Sequence, residues 1–207
     1  MRSKLFAALA LCVTVAAPLS AQTEITPFVG TMIPMTSLLV DTSGTGGFRM
    51  QAHTIYGVRF AKPMSPSLGL ELALGTGSGS LQSYSTEIIE IKTAVYFADL
   101  RARLRVAGGD DTQLGVIVGA GWTQFGAGLF DAAHEADDDT KFAGTVTGIV
   151  GLGFKAKVGD RITLSFDASD RIHEQGVEAP GLDTEQYAKK LQHDVTLTAG
   201  LAFPLGS

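Results

Sequence analysis

Cysteine is almost missing from these 207 residues, with Cys12 the only one. It falls in the opening stretch MRSKLFAALALCVTVAAPLSAQ, which has Arg2 and Lys4, an apolar run over residues 5–17, then Pro18 and the small Ala21. This is the three-part layout of a secretory signal, so residues 1–21 are expected to be removed after Ala21 and residues 22–207 to form the mature domain. The apolar run is about 13 residues, too short for a membrane-crossing helix of roughly 20. Leu11 precedes Cys12, where a lipid-modified signal would place a small residue. With Cys12 gone, disulfides and thiol catalysis are excluded.

A long hydrophobic run is lacking as well. After residue 21 no apolar stretch reaches the ~18 residues that a spanning helix needs. Positive charge is scarce too: the formal net charge is −5, and −7 once Arg2 and Lys4 leave. An acidic exported chain is not suited to nucleic acid, whose binding is driven by phosphate neutralisation. What the sequence does have is glycine, 25 of 207 residues, well above the usual ~7%. Export, abundant glycine and apolar residues in short bursts predict one β domain.

The segment YFADLRARLRV, residues 96–106, shows what kind. Arg101, Arg103 and Arg105 occupy every second position behind Asp99, with Leu100, Ala102 and Leu104 between them. A helix would spread the arginines around its surface, whereas a strand sends them all to one face and the apolar residues to the other. Such a strand needs two different solvents. It suits the edge of a soluble sandwich or the wall of a membrane barrel, since net charge has removed the basic-stripe reading.

The same period-2 alternation recurs at residues 54–61, 67–75, 113–124, 145–158, 162–169 and 194–203, with a less regular first strand at 25–33. Eight strands are therefore expected. Their connections alternate between short (62–66, 107–112, 159–161) and long and polar (34–53, 76–90, 125–144, 170–193). An up-and-down meander has this pattern when its two ends face different compartments.

A soluble barrel would turn its apolar face inward, so the other face decides. It consists of Gly, Ala, Ser and Thr with charges of both signs: Arg59, Glu71, Asp99, Arg101, Arg103, Arg105, Lys155, Lys157, Asp167 and Asp194. A lumen eight strands wide has room for a few long side chains only if their neighbours are small. A solvated exterior has no need of so much glycine. The aliphatic face is nearly free of charge, as a lipid-facing belt must be, and a closed barrel satisfies its backbone without water. The fold class is all-β, an eight-stranded antiparallel transmembrane barrel. Aromatics should form two girdles, with Phe60, Phe154 and Phe203 at the periplasmic interface and Tyr56, Tyr96 and Trp122 toward the cell surface.

The chain at this point resembles the small eight-stranded outer-membrane barrels of diderm bacteria, of the OmpA and OmpX kind. The resemblance covers the mature chain as architecture, and its most specific part is the ending TAGLAFPL. There Thr198, Gly200, Phe203 and Leu205 resemble the C-terminal signal read by the outer-membrane assembly machinery. The resemblance implies an outer-membrane location, outer-membrane lipids and lipopolysaccharide as surroundings, a monomer, and no cofactor.

Lumen charges of both signs are expected to pair as a structural plug rather than to form an ion path. Hairpin register suggests Arg59 with Glu71 and Lys155 with Asp167, and names Asp99 and Glu71 as counterions for the three arginines. Asp131, Glu135, Asp137, Asp138 and Asp139 cluster in one long loop without the spacing of a calcium site. His53, His134, His173 and His193 lie near the outer end, but none has a serine two residues on, the pattern of a lipid A deacylase. The runs GTGG and GTGSGS look like phosphate loops only superficially, since no lysine and no helix follows them, and they are expected to be surface loops. The reading is a non-enzymatic barrel with a structural or surface-interaction role. A transporter of small hydrophobic solutes, OmpW-like, is the alternative, and a lipid A-modifying enzyme is the third.

Overall fold

The structure, a computed structural model, describes residues 23–36, 39–40, 47–83, 90–126, 144–174 and 191–205. The strands in chain order are β1 (Thr23–Pro34), β2 (Leu39–Val40), β3 (Gly47–Met50), β4 (His53–Pro63), β5 (Leu68–Ser83), β6 (Glu90–Gly108), β7 (Thr112–Gly126), β8 (Gly144–Lys157), β9 (Thr163–Glu174) and β10 (Leu191–Leu205). Eight of them form a closed antiparallel barrel in the order β1, β4, β5, β6, β7, β8, β9, β10, with β10 returning to β1. Closure matters because an open sheet edge would leave a row of N–H and C=O groups without partners. Among the described residues no helix is long and apolar enough to cross a membrane.

The short β2–β3 hairpin adds to β5 above β4, through Phe48 opposite Ser83 and Met50 opposite Leu81. Three connections, at residues 64–67, 109–111 and 158–162, are tight. Gly108, the last residue of β6 before the second, takes φ +94°, where a β-carbon would be strained. These turns and both barrel ends, Thr23 and Leu205, lie at one end of the barrel, here the turn end. The opposite, loop end carries the long connections.

Two strands run further than alternation alone indicates. β5 continues through Thr76 to Ser83, and β9 through Asp170 to Glu174, so the expected loops at 76–90 and 170–193 are partly wall. GTGSGS is therefore strand and not surface loop. Its glycines are inward-facing, and space explains them: a β-carbon on Gly75 would overlap the Phe97 ring, and one on Gly79 would press on His53. Of GTGG only Gly47 is among the described residues.

The two faces separate as the alternation requires. Val29, Leu72, Leu100, Leu152, Phe166 and Leu197 are among many large apolar residues exposed on the outer wall, Leu152 by 56%. A continuous apolar wall of this kind far exceeds the few hundred Å² that a water-soluble monomer tolerates. The interior holds the charged residues instead: Arg59, Glu71, Asp99, Arg101 and Asp167 are all at most 6% exposed. Ile117, which breaks the alternation of its strand, is inward and fully buried.

Candidate functional site: a two-storey lumen

The lower storey, toward the turn end, is built by four strands. β6 contributes Arg101 and Arg103, β4 Arg59, β5 Glu71 and β9 Asp167, and these five side chains meet across the lumen. Arg101 Nη2 donates to Glu71 Oε2 at 2.6 Å, and Arg103 Nε donates to Glu71 Oε1 at 2.8 Å. Arg103 Nη2 reaches Asp167 Oδ1 at 2.7 Å, while Asp167 Oδ2 accepts from Arg59 Nη1 and, at 3.3 Å, from Arg101 Nη2. Both carboxylates thus bridge arginines. Arg59 also lies over the Phe28 ring, 5.0 Å from its centroid. The long side chains fit because their neighbours are glycines; a β-carbon on Gly153 would overlap the Arg103 guanidinium.

Hairpin register gives the wrong partners for Arg59 and for Lys155. Arg59 pairs with Asp167 rather than with Glu71, and Lys155 pairs with Glu24 at 2.5 Å rather than with Asp167. Adjacency along a hairpin governs side chains lying on a flat sheet. In a narrow closed barrel, long side chains cross the axis and find carboxylates on facing strands. Arg105 stands apart at the rim, 3.6 Å from the fully exposed Asp110.

Asp99 is likewise no counterion of the arginine ladder. It takes both guanidinium nitrogens of Arg171, at 2.5 and 3.0 Å, and Arg171 Nη2 also donates to Thr123 Oγ1 at 2.8 Å. The Arg171 guanidinium lies 4.6 Å from the centre of Phe97. A reading that ends this strand at Ser169 misses Arg171 and leaves His173 in an outer loop rather than in the lumen. The signal that finds them is the inward phase of Ser165, Asp167 and Ser169, continued for two more steps.

Above this pair the lumen becomes apolar. Phe28, Met32, Met50, Ile55, Val95, Phe97 and Phe125 form one buried cluster, and Phe28 stacks on Phe97 at 6.4 Å between centroids. His173 closes the cluster on one side, 5.8 Å from Phe125, with its Nε2 2.9 Å from Asp194 Oδ2. His193 is on the outer wall instead, its Nδ1 2.8 Å from Asp170 Oδ2. His53 is buried facing inward, its Nδ1 3.0 Å from the Gln51 carbonyl. Among the described residues none of these three imidazoles has a serine or threonine hydroxyl as a hydrogen-bond partner. Among the described residues no group of three His, Cys, Asp or Glu converges as a metal site would. His134 and the acidic stretch Asp131 to Asp139 lie outside the described residues.

The six aromatics chosen for girdles all point outward. Phe60 and Phe203 both face Ile25 across β1, and Tyr56 and Tyr96 both face Thr76 across β5. Phe154 is opposite Phe166, and Trp122 is opposite Ala98 and Val146. At the end of the chain, Thr198 and Gly200 turn inward while Phe203 and Leu205 turn outward. Pro204 is tolerated because pairing with β9 has already stopped at Ala202.

The family model of the outer membrane protein beta-barrel domain matches residues 5–204. The chain belongs to that family. It is thus an outer-membrane β-barrel protein, and its place is the bacterial outer membrane. Two solved structures share the fold: the outer membrane protein OprG from Pseudomonas aeruginosa, 14% identical with TM-score 0.63, covering 90% of this chain and 97% of that one, and Neisserial surface protein A (NspA), 11% identical with TM-score 0.53, covering 88% and 97%. A comparison with curated proteins finds no match.

Proposed function

We propose that this barrel is a closed, non-conducting wall element of the outer membrane whose role is structural or is exerted by its outer loops on a surface partner. One observation carries the reading: the lumen is filled on both storeys, by ion pairs below and by packed apolar side chains above. A water-filled path would have to displace five mutually bonded charged groups, and opening one buried pair costs about 3–5 kcal/mol when a partner is left alone. In this reading the turn end is periplasmic, after removal of residues 1–21, and the outer wall meets lipid and lipopolysaccharide. The aromatic residues sit at the two interfaces, and the C-terminal residues from Thr198 to Leu205 engage the assembly machinery. A closed barrel offers no free strand edge, which favours a monomer. The imidazole environments favour a non-enzymatic role.

The test is single-channel conductance of the detergent-folded protein in planar bilayers. Electrical silence is the expected result, and sustained openings altered by Arg103→Ala would overturn the proposal. One observation favours a second reading, passage of small hydrophobic solutes: the upper storey is apolar. That reading requires uptake of an apolar solute into vesicles carrying the protein, reduced by Phe97→Asn; unchanged flux relative to empty vesicles removes it.

A further inference from the structure

We propose that a groove in the outer wall holds one acyl chain of a phospholipid from the leaflet at the turn end. The groove has a volume of about 550 Å³ and is lined by residues of β1, β7, β8, β9 and β10. Its shape comes from register. Along one row of the wall Val29, Ala199, Phe166 and Phe154 face one another in turn across four neighbouring strands, and along the next row toward the loop end Thr31, Leu197, Ala168 and Leu152 do the same. Each row has one alanine among larger side chains. Ala199 and Ala168 fall on a diagonal, with Phe166 and Leu197 standing on either side of it.

The lining has nothing to offer water. Val29, Leu152, Phe166 and Leu197 are exposed apolar side chains of the outer wall. Asp167 borders the groove but turns into the lumen, where it is buried, and the Thr31 hydroxyl is spent on the His53 carbonyl at 3.2 Å. An apolar recess of this kind stays dry, and an empty one forfeits the dispersion contacts of the atoms that line it. Something apolar must fill it. Because the groove opens outward in a barrel of the outer membrane, the filling group comes from the membrane.

Two occupants are available there, a hydrocarbon chain and a second barrel. Two copies related by a two-fold axis through this patch would set groove against groove and enclose a larger void. A flexible acyl chain follows a diagonal channel without that constraint. The groove reaches from Leu197, near the middle of β10, to Leu114, the third residue of β7 on the turn side. It thus covers the middle and the turn side of the wall. The inference rests on the reading proposed above, in which the turn end is periplasmic and the wall meets lipid, and in that leaflet the chains belong to phospholipids.

Full-length protein folded in a short-chain non-ionic detergent is titrated with phosphatidylethanolamine and followed by native mass spectrometry. The wild type should keep one lipid after gentle activation has stripped the rest. The double substitution Ala168→Leu and Ala199→Leu fills the groove with side chains suited to a lipid-facing wall, and should lose that lipid. Should the double variant not fold, methyl NMR of the wild type decides: one equivalent of lipid should shift Val29, Leu152 and Leu197 and leave Leu72 and Leu100, elsewhere on the wall, in place. No retained lipid, equal retention in wild type and variant, or uniform methyl shifts overturn the proposal and leave an unselective lipid shell around an intact lipid-facing wall. A wild-type dimer that the variant does not form overturns it in favour of a second copy. A chain that stays folded and monomeric without detergent overturns it together with the reading on which it rests.

Discussion

At the scale of single residues, the lumen depends on a few carboxylates that each hold more than one arginine. Asp167 is the centre of this arrangement, with Arg59, Arg101 and Arg103 all within salt-bridge distance. Asp167→Ala should lower stability by about 3–5 kcal/mol, because it strands buried guanidinium groups. Arg105→Ala should leave stability unchanged, since its partner Asp110 is fully in solvent. Urea unfolding of the two variants side by side in micelles checks both, and an Asp167→Ala protein as stable as wild type would contradict the plug. The residue types of this network were legible in the sequence, from Arg59 and Glu71 to Asp167, because alternation fixes the face on which each lies. Their partners were legible only in part: Glu71 does hold Arg101 and Arg103, as its register beside them indicates, but Arg59, Lys155 and Asp99 pair elsewhere. Pairing is decided by which side chains cross a narrow lumen, and that depends on the relative stagger of all eight strands, which no local pattern encodes.

At the scale of elements, strand cores were readable and strand ends were not. A glycine-serine run such as GTGSGS has the composition of a loop, yet in β5 it is paired with β6 from Gly75 opposite Phe97 to Ser80 opposite Lys92. Composition misleads here because a lumen that must admit Phe97 and His53 requires small residues opposite them, and the same smallness elsewhere marks flexibility. The two interpretations separate in hydrogen exchange. Amides from Thr76 to Ser80 should exchange as slowly as those of Leu70 to Leu74 in the folded protein, since both stretches are paired in the wall. Fast exchange confined to residues 76–80 would return the segment to the loop. β9 teaches the same lesson with different chemistry: Asp170, Arg171 and His173 read as a polar connection, but two of the three are buried against the lumen and the third pairs with His193 on the outer wall.

At the scale of the whole molecule, the fold inverts the usual arrangement, and the inversion itself can be measured. In a water-soluble barrel Leu100 would be an inward core residue; here it is 49% exposed on the outer wall, between Leu72 and Ala120 on the neighbouring strands. Placing a charge there has opposite consequences in the two cases. On a wall facing water, Leu100→Arg would remove an unfavourable apolar contact and cost nothing. On a wall facing hydrocarbon, arginine should cost about 2–4 kcal/mol near the bilayer midplane and ~0–1 near either interface. A series with Leu100→Arg, Leu152→Arg and Leu205→Arg, folded into phosphatidylcholine vesicles and unfolded by guanidinium, therefore reads depth as well as orientation. The penalty should be largest for a position in the middle of its strand, as Leu100 is in β6, and smallest for Leu205 at the last position of β10. A flat series with no penalty at Leu100 would mean that the apolar wall meets something other than lipid, and would reopen the question of what the outer surface of this barrel is made to contact.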